Sequence, residues 1–351
     1  MHIYLAAISI LLILSVFLSL IKSDFWVYKI LEYPRLQKLM LIAVVTGGWC
    51  LLWPFASWFY RGIVCALFIS VIYLLYKIWP YTFFAKKEMQ RARPGDPANE
   101  LKVFAANVLQ DNTEYHRLIQ QIRECDPDVL FLVEINDAWA KAISELENEY
   151  PYRLVEPRDN TYGLLFYSRF KVEKARLTFL VKNDIPSVDA VVVLPSGEKM
   201  QLWCLHPEPP VPGENLYSTA KDKELMKVAL KVKDCSLPCI VLGDLNDVAW
   251  SHTTEIFRKT SELLDPRRGR GFYSTFSAHH WLIRFPLDYI FCSKEFFLIS
   301  MRRLPKNGSD HFATLTHLAF KKDIKEEQAP QKADGKELAN AHEMATQTLK
   351  E

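Results

Sequence analysis

The feature that most constrains this chain is the uneven placement of its charge. Between Ile3 and Ile78 the sequence is rich in Leu, Ile, Val, Phe and Trp and has only two acids, Asp24 and Glu32, whereas most of the charge follows Lys86. A helix rises 1.5 Å per residue, so about 20 apolar residues cross a hydrocarbon core. Ile3 to Ile21 and Leu39 to Tyr60 carry no charged residue, and Gly62 to Trp79 carries Lys77 alone. These stretches are three predicted transmembrane helices, with Trp49, Trp53, Trp58, Tyr60 and Trp79 at places that suit the membrane interfaces. The first run starts Met1-His2 and ends Ser19-Leu20-Ile21-Lys22, without the basic start and small-residue site of a cleaved signal. Buried helices of a soluble core are the alternative, and three such runs before residue 80 disfavour it.

Basic residues orient the spans. Lys22, Lys29, Arg35 and Lys38 lie between the first and second, Arg61 alone between the second and third, and Lys77, Lys86, Lys87, Arg91 and Arg93 around or after the third. The positive-inside rule then puts the N-terminus and the Arg61 turn outside, and the C-terminal part in the cytoplasm. Residues 1–80 are thus expected to be an anchor and 81–100, with RARPGDPAN at its end, a linker. Residues 101–320 are expected to be one domain, and 321–351 a charged, disordered tail. A net charge of +2 does not advertise a nucleic-acid surface. The seven cysteines form no CxxC pair, and Cys235 with Cys239 lacks a second pair for zinc, so they read as small core residues of a reducing compartment.

Within the domain, strand-like runs alternate with helical ones. KVFAANV from Lys102, Val129 to Val133, Gly163 to Tyr167, Ala190 to Leu194, Met200 to Leu205, Cys239 to Leu242, Leu287 to Cys292 and Phe312 to Phe320 read as strands. Thr113 to Cys125, Ala138 to Glu149, Lys221 to Val232 and Thr253 to Leu264 read as helices, the first with Leu118, Ile119 and Ile122 on one face. This mixture predicts packed layers of α+β or α/β type.

Several of these apolar runs end in one reactive polar residue. Asn107 follows KVFAA, Glu134 follows VLFLV, His206 follows QLWCL, Asp244 and Asn246 follow CIVLG, and Asp288 heads YIFC. Singly, each can be a turn or a strand meeting water. Jointly they make a site, because strand ends on one edge of a layered domain converge. Glu134 is a hard oxygen donor suited to Mg²⁺. Asp288 can hold a tautomer of His311, which sits in Gly308-Ser309-Asp310-His311, and leave its other nitrogen to handle a proton. Asp244 can orient an attacking water, while Asn107, Asn246 and His206 can donate to phosphoryl oxygens. Such groups suit phosphoryl transfer, which needs positioning and charge neutralisation.

The set Asn107, VLFLVE to Glu134, Leu205-His206, GDLN at Gly243 to Asn246, LDYIF at Leu287 to Phe291 and Ser309-Asp310-His311 resembles the motifs of the endonuclease/exonuclease/phosphatase, or DNase I-like, superfamily. The resemblance covers about Leu101 to Phe320 and implies a four-layer α/β/β/α sandwich with a Mg²⁺ (or Mn²⁺) phosphoesterase site. It implies that Glu134 binds the metal with Asn107 and Asp310 in support, and that Asp244 and Asn246 align water and phosphate. His311 would be the catalytic histidine paired with Asp288, and His206 would touch or protonate the phosphoryl group. Tyr162-Gly163 and Ser168-Arg169 resemble a segment lining the phosphate cleft. Three spans and WPYTFF before the domain resemble the membrane-anchored bacterial, YafD-like branch, which implies the inner membrane. Some members of that branch act at its outer, periplasmic face and on lipid-linked phosphates. The expectation is an anchored phosphoesterase with a phosphodiester or phosphomonoester substrate, the lipid bilayer as partner and a lipid headgroup as one candidate. The alternatives are a nuclease, using Arg267-Arg268-Gly269-Arg270 and Arg302-Arg303, and a tethered module without activity.

Overall fold

Period-two alternation sorts the strands into two sheets that share one core. The computed structural model describes residues 2–52, 57–322 and 328–350. Its first helices are α1 (His2–Leu18), α2 (Trp26–Ile30), α3 (Arg35–Leu51) and α4 (Trp58–Ile78). The domain follows as β1 (Glu100–Asn107), α5 (Tyr115–Cys125), β2 (Val129–Val133), α6 (Asp137–Ile143), β3 (Tyr152–Glu156), β4 (Leu164–Ser168), β5 (Lys171–Thr178) and β6 (Ser187–Val193). It continues with β7 (Lys199–Cys204), α7 (Thr219–Lys233), β8 (Cys239–Asp244), α8 (His252–Ser261), β9 (Asp288–Cys292), β10 (Phe296–Arg303), β11 (Thr314–Phe320) and α9 (Gly335–Thr346).

One sheet runs β10-β11-β1-β2-β4-β3 and the other β5-β6-β7-β8-β9. Val103, Phe131 and Phe166 of the first meet Leu202, Leu242 and Ile290 of the second in a common core. On the outer faces, Phe104, Leu130 and Leu132 pack under α5 and α6 through Leu118, Ile122 and Trp139. Val241 and Phe291 pack under α7 and α8 through Leu225, Met226 and Phe257. The expected layering, helix, sheet, sheet, helix, is therefore present. Each fully buried Leu or Phe contributes about 1.5–3 kcal/mol, which lets the strand ends carry costly polar groups.

Strand direction decides where those ends fall. β1 pairs in parallel with β2, Asn107 opposite Val133, and β7 with β8, Cys204 opposite Leu242. Their C-terminal ends therefore lie at the same edge of the two sheets. β9 runs antiparallel to β8 with Asp288 opposite Asp244, and β11 antiparallel to β1, so the starts of β9 and β11 reach that edge too.

Several expectations need correction. Among the described residues only the helix from Trp58, extended to Tyr81, is long and apolar enough to cross a membrane. The 17-residue α1 spans about 26 Å, and α3, also 17 residues, starts at Arg35 with Lys38 one turn on. The predicted second span, 39–60, is divided between α3 and α4, and its residues 53–56, Trp53 among them, lie outside the described residues. The segment 81–100 is sewn to the domain rather than free: Met89 is fully buried in the inter-sheet core, and the Gln90 carbonyl accepts from Leu298 N at 2.9 Å. The tail, whose residues 323–327 lie outside the described ones, ends in α9 with a capping box of Asp334 and Glu337. Ala341 and Ala345 bury α9 against the α7/α8 layer. Small alanines let it dock despite few large apolar residues. The strands β3, β5 and β10 escape the pattern because they are sheet-edge strands: β5 is largely exposed, with four charged residues in KVEKARLT, β3 is half-buried, and β10 ends in two exposed arginines. The helix expected over 138–149 tightens into a 3-10 turn from Ser144.

Candidate active site

The five strand ends bring together most of the polar residues singled out in the sequence. Asn107 bridges the two sheets: its Nδ2 donates to Glu134 Oε1 at 2.7 Å and to Asp244 Oδ2 at 3.2 Å. Its own Oδ1 is held by Leu109 N at 3.0 Å, which fixes the amide orientation. Glu134, just past β2, has a left-handed φ of 64°, which swings its side chain back to Asn107, and Gln110 N donates to its Oε2 at 3.1 Å. Burial pushes the Glu134 carboxyl up, and the bonds from Asn107 and Gln110 oppose that shift.

Asp244 owes its position to the glycine before it. Gly243 has φ 134°, and a Cβ there would lie 2.0 Å from the Leu205 carbonyl oxygen, so only glycine lets β8 pass so close to the end of β7. Asp244 Oδ1 accepts from Asn246 N at 3.0 Å. Burial raises the Asp244 carboxyl to about 7, against the pull of the His311 charge. His311 Nδ1 is 2.8 Å from Asp288 Oδ2, and its Nε2 is 3.5 Å from Asp244 Oδ2. Burial alone would lower the imidazole, but Asp288 and Asp244 outweigh it and hold it near 10, so His311 is a cation at neutral pH.

His206 behaves oppositely. Burial and the charge of His311 push it down to about 3, leaving it neutral, with Nε2 4.0 Å from Asp244 Oδ2 and a buried Nδ1 lacking a hydrogen-bond partner. Tyr162 sets its ring against His206, tilted by 42° with centroids 5.5 Å apart, and its hydroxyl donates to Glu214 Oε2 at 2.6 Å. Asn246 ties the loop down through Nδ2 to the Pro207 carbonyl at 2.9 Å. Asp310 accepts from Ala278 N through its carbonyl at 2.6 Å and keeps a buried Oδ1 without a partner.

Arg169 is not in this group. β4 runs antiparallel to β2 with Leu164 opposite Val133 and Ser168 opposite Val129, so Tyr162 lies at the site end and Arg169 at the far end. There its guanidinium binds Asp126 and, at 3.0 Å, Glu149. The expectation that Arg169 lines the cleft is corrected on that ground.

The residues suit a divalent cation. Asp244, Asp288 and His311 present possible ligand atoms within 4.8 Å of one another. His311 Nδ1 is already committed to Asp288, however, which is the arrangement of a proton-handling pair. The better donors are Glu134 and Asp310, hard carboxylate oxygens of which one is buried without a partner, a chemistry that fits Mg²⁺ or Mn²⁺. Four supporting residues carry no signal in the sequence. Gln110 supplies an amide to Glu134, and Thr275 Oγ1 accepts from Asp288 N at 3.2 Å. Phe276 packs 5.1 Å from the His311 ring, and Tyr33 donates its hydroxyl to the Asn246 carbonyl at 2.7 Å. None lies at the end of an apolar run.

Two sheets face to face, with acids and an Asp-paired histidine at one edge, define a hydrolase of phosphoester bonds. Residues 103–311 match the Endonuclease/Exonuclease/phosphatase family, and the chain belongs to it; its members are phosphoesterases and generally depend on a divalent metal. Similar solved structures include D. rerio TDP2 complexed with single strand DNA product, at 18% identity and TM-score 0.53, covering 62% of this chain and 98% of that one. The human Nocturnin catalytic domain with bound sulfate anion is 19% identical, with TM-score 0.51 over 69% of this chain and 99% of that one. An endonuclease/exonuclease/phosphatase from Beutenbergia cavernae is 16% identical, with TM-score 0.51 over 63% and 72%. At such identities the likeness is one of fold. No curated protein matches the chain.

Proposed function

We propose that this protein is a membrane-anchored, divalent-metal-dependent phosphoesterase. The observation that carries the reading is the His311–Asp288 pair set against Asp244 and the Asn107–Glu134 bridge, five buried or half-buried groups at one sheet edge. A divalent cation at Glu134 and Asp310 would neutralise phosphoryl charge when bound. Asp244, with a carboxyl near 7, is suited to orient a water and take its proton near neutral pH. Neutral His206, whose Nε2 lies 4.0 Å from Asp244 Oδ2, can steady a phosphoryl oxygen, while the Asn107 amide holds Glu134 and Asp244 in place. His311, held cationic by Asp288, stabilises the negative charge on the phosphoryl and departing oxygens. The water oxygen forms the new bond to phosphorus, the ester bond breaks, and the departing oxygen takes a proton from the His311 imidazolium, which recovers one from Asp244, 3.5 Å away.

Anchoring is supported by the first helices. Ile42, Trp49, Leu67 and Leu74 bury themselves between α1, α3 and α4, while Ile3, Val44 and Ile72 are 76%, 73% and 67% exposed. A bundle apolar inside and out suits hydrocarbon rather than water, with α4 long enough to cross it. The basic bias near the domain favours the cytoplasmic side. The nuclease reading has less support, since Arg267 is 1% exposed and paired with Asp265, and Arg268 with Glu88.

The test is product release from bis-p-nitrophenyl phosphate and from single-stranded DNA by the full chain in detergent, with Mg²⁺ and with EDTA. Turnover is expected with Mg²⁺ only, and Glu134→Gln is expected to lower kcat at least 100-fold, on the order of a lost metal contact, with little change in Tm. Undiminished turnover in EDTA, or in Glu134→Gln, would remove the metal role. A reporter fused after Glu351 is expected to behave as cytoplasmic, and periplasmic activity would reverse the topology.

A further inference from the structure

Between the first turn of α3 and the loop from Gly271 to Arg284 lies a cleft of about 600 Å³, within the size range of ligand sites. Met40, Phe83, Trp281 and Leu282 supply apolar walls, and no carboxylate lines it. Three arginines do. Arg270 is committed to backbone carbonyls of Met89 and Pro266. Arg284 and Arg303 instead stand over the Phe312 ring, 5.1 and 4.3 Å from its centroid, and Arg284 Nε is buried without a hydrogen-bond partner. Among the described residues neither is in a salt bridge with a carboxylate; Arg303 donates to the Ser274 carbonyl at 2.6 Å. Two guanidinium groups without a carboxylate counter-ion, both over the ring of the residue that follows His311 in the chain, form a cradle for an anion.

The loop that walls the cleft is bonded to the catalytic turn on one side and to α3 on the other. It meets the catalytic turn through Phe312 N to the Thr275 carbonyl at 2.9 Å and Ala278 N to the Asp310 carbonyl at 2.6 Å. On the other side Gln37 of α3 donates to the Leu282 carbonyl at 3.0 Å. At the loop tip Trp281, Leu282 and Ile283 are 75%, 58% and 53% exposed, and Phe83 beside them is 79% exposed. A row of large apolar residues is costly in water and favourable at a bilayer interface, where tryptophan concentrates.

We infer that this cleft binds a phosphate-bearing membrane lipid, with its phosphate on Arg284 and Arg303 over Phe312 and its acyl chain along Met40, Phe83 and Trp281. The inference rests on the membrane-anchored phosphoesterase reading and names its substrate class. An amphiphile so held enters from the bilayer side without leaving it, and the arginines, not the catalytic groups, select for the anion.

The experiment uses the full chain in lipid nanodiscs with a phosphatidic acid carrying a photoactivatable diazirine in its acyl chain. Labelling is expected on the peptides holding Met40 and Trp281-Leu282, and is expected to fall about tenfold in Arg284→Gln/Arg303→Gln, the scale of lost charge-assisted contacts. A diacylglycerol with the same diazirine is expected to label them severalfold less. Equal labelling by the two probes, or labelling unchanged in the double variant, would overturn the site and leave a greasy membrane contact only. In parallel, Trp281→Ala/Leu282→Ala is expected to lower kcat/KM on phosphatidic acid about tenfold, with bis-p-nitrophenyl phosphate hydrolysis within about twofold. A proportional loss on both substrates would refute the tail-binding role. Anion-selective labelling without turnover of any phosphoester would instead sink the phosphoesterase reading and keep the lipid site.

Discussion

Asp244 and Asp247 lie three residues apart in one loop, yet they belong to two buried ionic clusters of opposite character. On the Asp247 side every charge has its counterpart. Lys221 Nζ binds Asp247 at 2.7 Å and Asp222 at 2.8 Å, Lys29 binds Asp222 at 3.0 Å, and Arg35 binds Glu32 at 3.1 Å. Burial alone would raise the Asp222 carboxyl, but Lys221 and Lys29 outweigh it and hold it well below the usual range. On the Asp244 side four acids, Glu134, Asp244, Asp288 and Asp310, face one cationic histidine, and the Asp244 carboxyl rises to about 7. Balanced charge makes a joint between the N-terminal helices and the domain; unbalanced charge makes a site suited to a cation and a substrate.

The largest effect that would sharpen this contrast is on chemistry. His311→Gln is expected to cut kcat by about 10³-fold, the loss of a positioned proton-handling group, while urea unfolding stays two-state. A loss under tenfold would take His311 out of the reaction. Next comes stability, where the clusters should respond with opposite sign. Lys221→Met leaves Asp247 buried without its cation and Asp222 with Lys29 alone, and is expected to cost about 3–5 kcal/mol. Asp244→Asn removes an uncompensated acid and is expected to leave metal-free stability unchanged or higher, with activity abolished. If both variants destabilise alike, the two clusters are not different in kind.

A third buried acid tests the rule away from both clusters. Glu224 on α7 has only the Ser187 hydroxyl, at 2.6 Å, and burial raises it to about 7 from 4.5. Between those values the folded chain keeps a proton that the unfolded chain gives up, so Glu224 makes stability fall as pH rises through that window. Glu224→Gln is expected to flatten the slope and to gain about 1–2 kcal/mol at pH 8, read by urea unfolding across pH. An unchanged slope would show that Glu224 is ionised throughout. The smallest effect lies where the clusters meet. Tyr33→Phe deletes the bond to the Asn246 carbonyl and is expected to cost about 1 kcal/mol in stability and severalfold in kcat. If kcat stays at the wild-type value, the N-terminal segment that carries Tyr33 does not position the catalytic loop.

Some of this was determined by the sequence alone, for a local reason. The apolar runs ending in Asn107, Glu134, His206, Asp244 and at Asp288 declare both a buried strand and a polar terminus, because strand burial and strand end are written in consecutive residues. The layered class, α5 with its Leu118, Ile119 and Ile122 face, and the Ser251 cap of α8, which accepts from Thr254 N, are legible in the same way. Tertiary structure decided what depends on direction and distant contact. Arg169 follows β4 as closely as Glu134 follows β2, but antiparallel pairing sends it to the other end of the sheet. Lys29 and Arg35 read as topology signals, and in the fold they are consumed by Asp222 and by the Trp250 carbonyl, at 3.0 and 2.6 Å. The tail reads as solvated, and its small Ala341 and Ala345 nevertheless find a groove on α7 and α8. A sequence specifies which groups must be buried or turned; only packing specifies which partners they meet, and the partners decide whether a buried charge holds the fold together or is left to do chemistry.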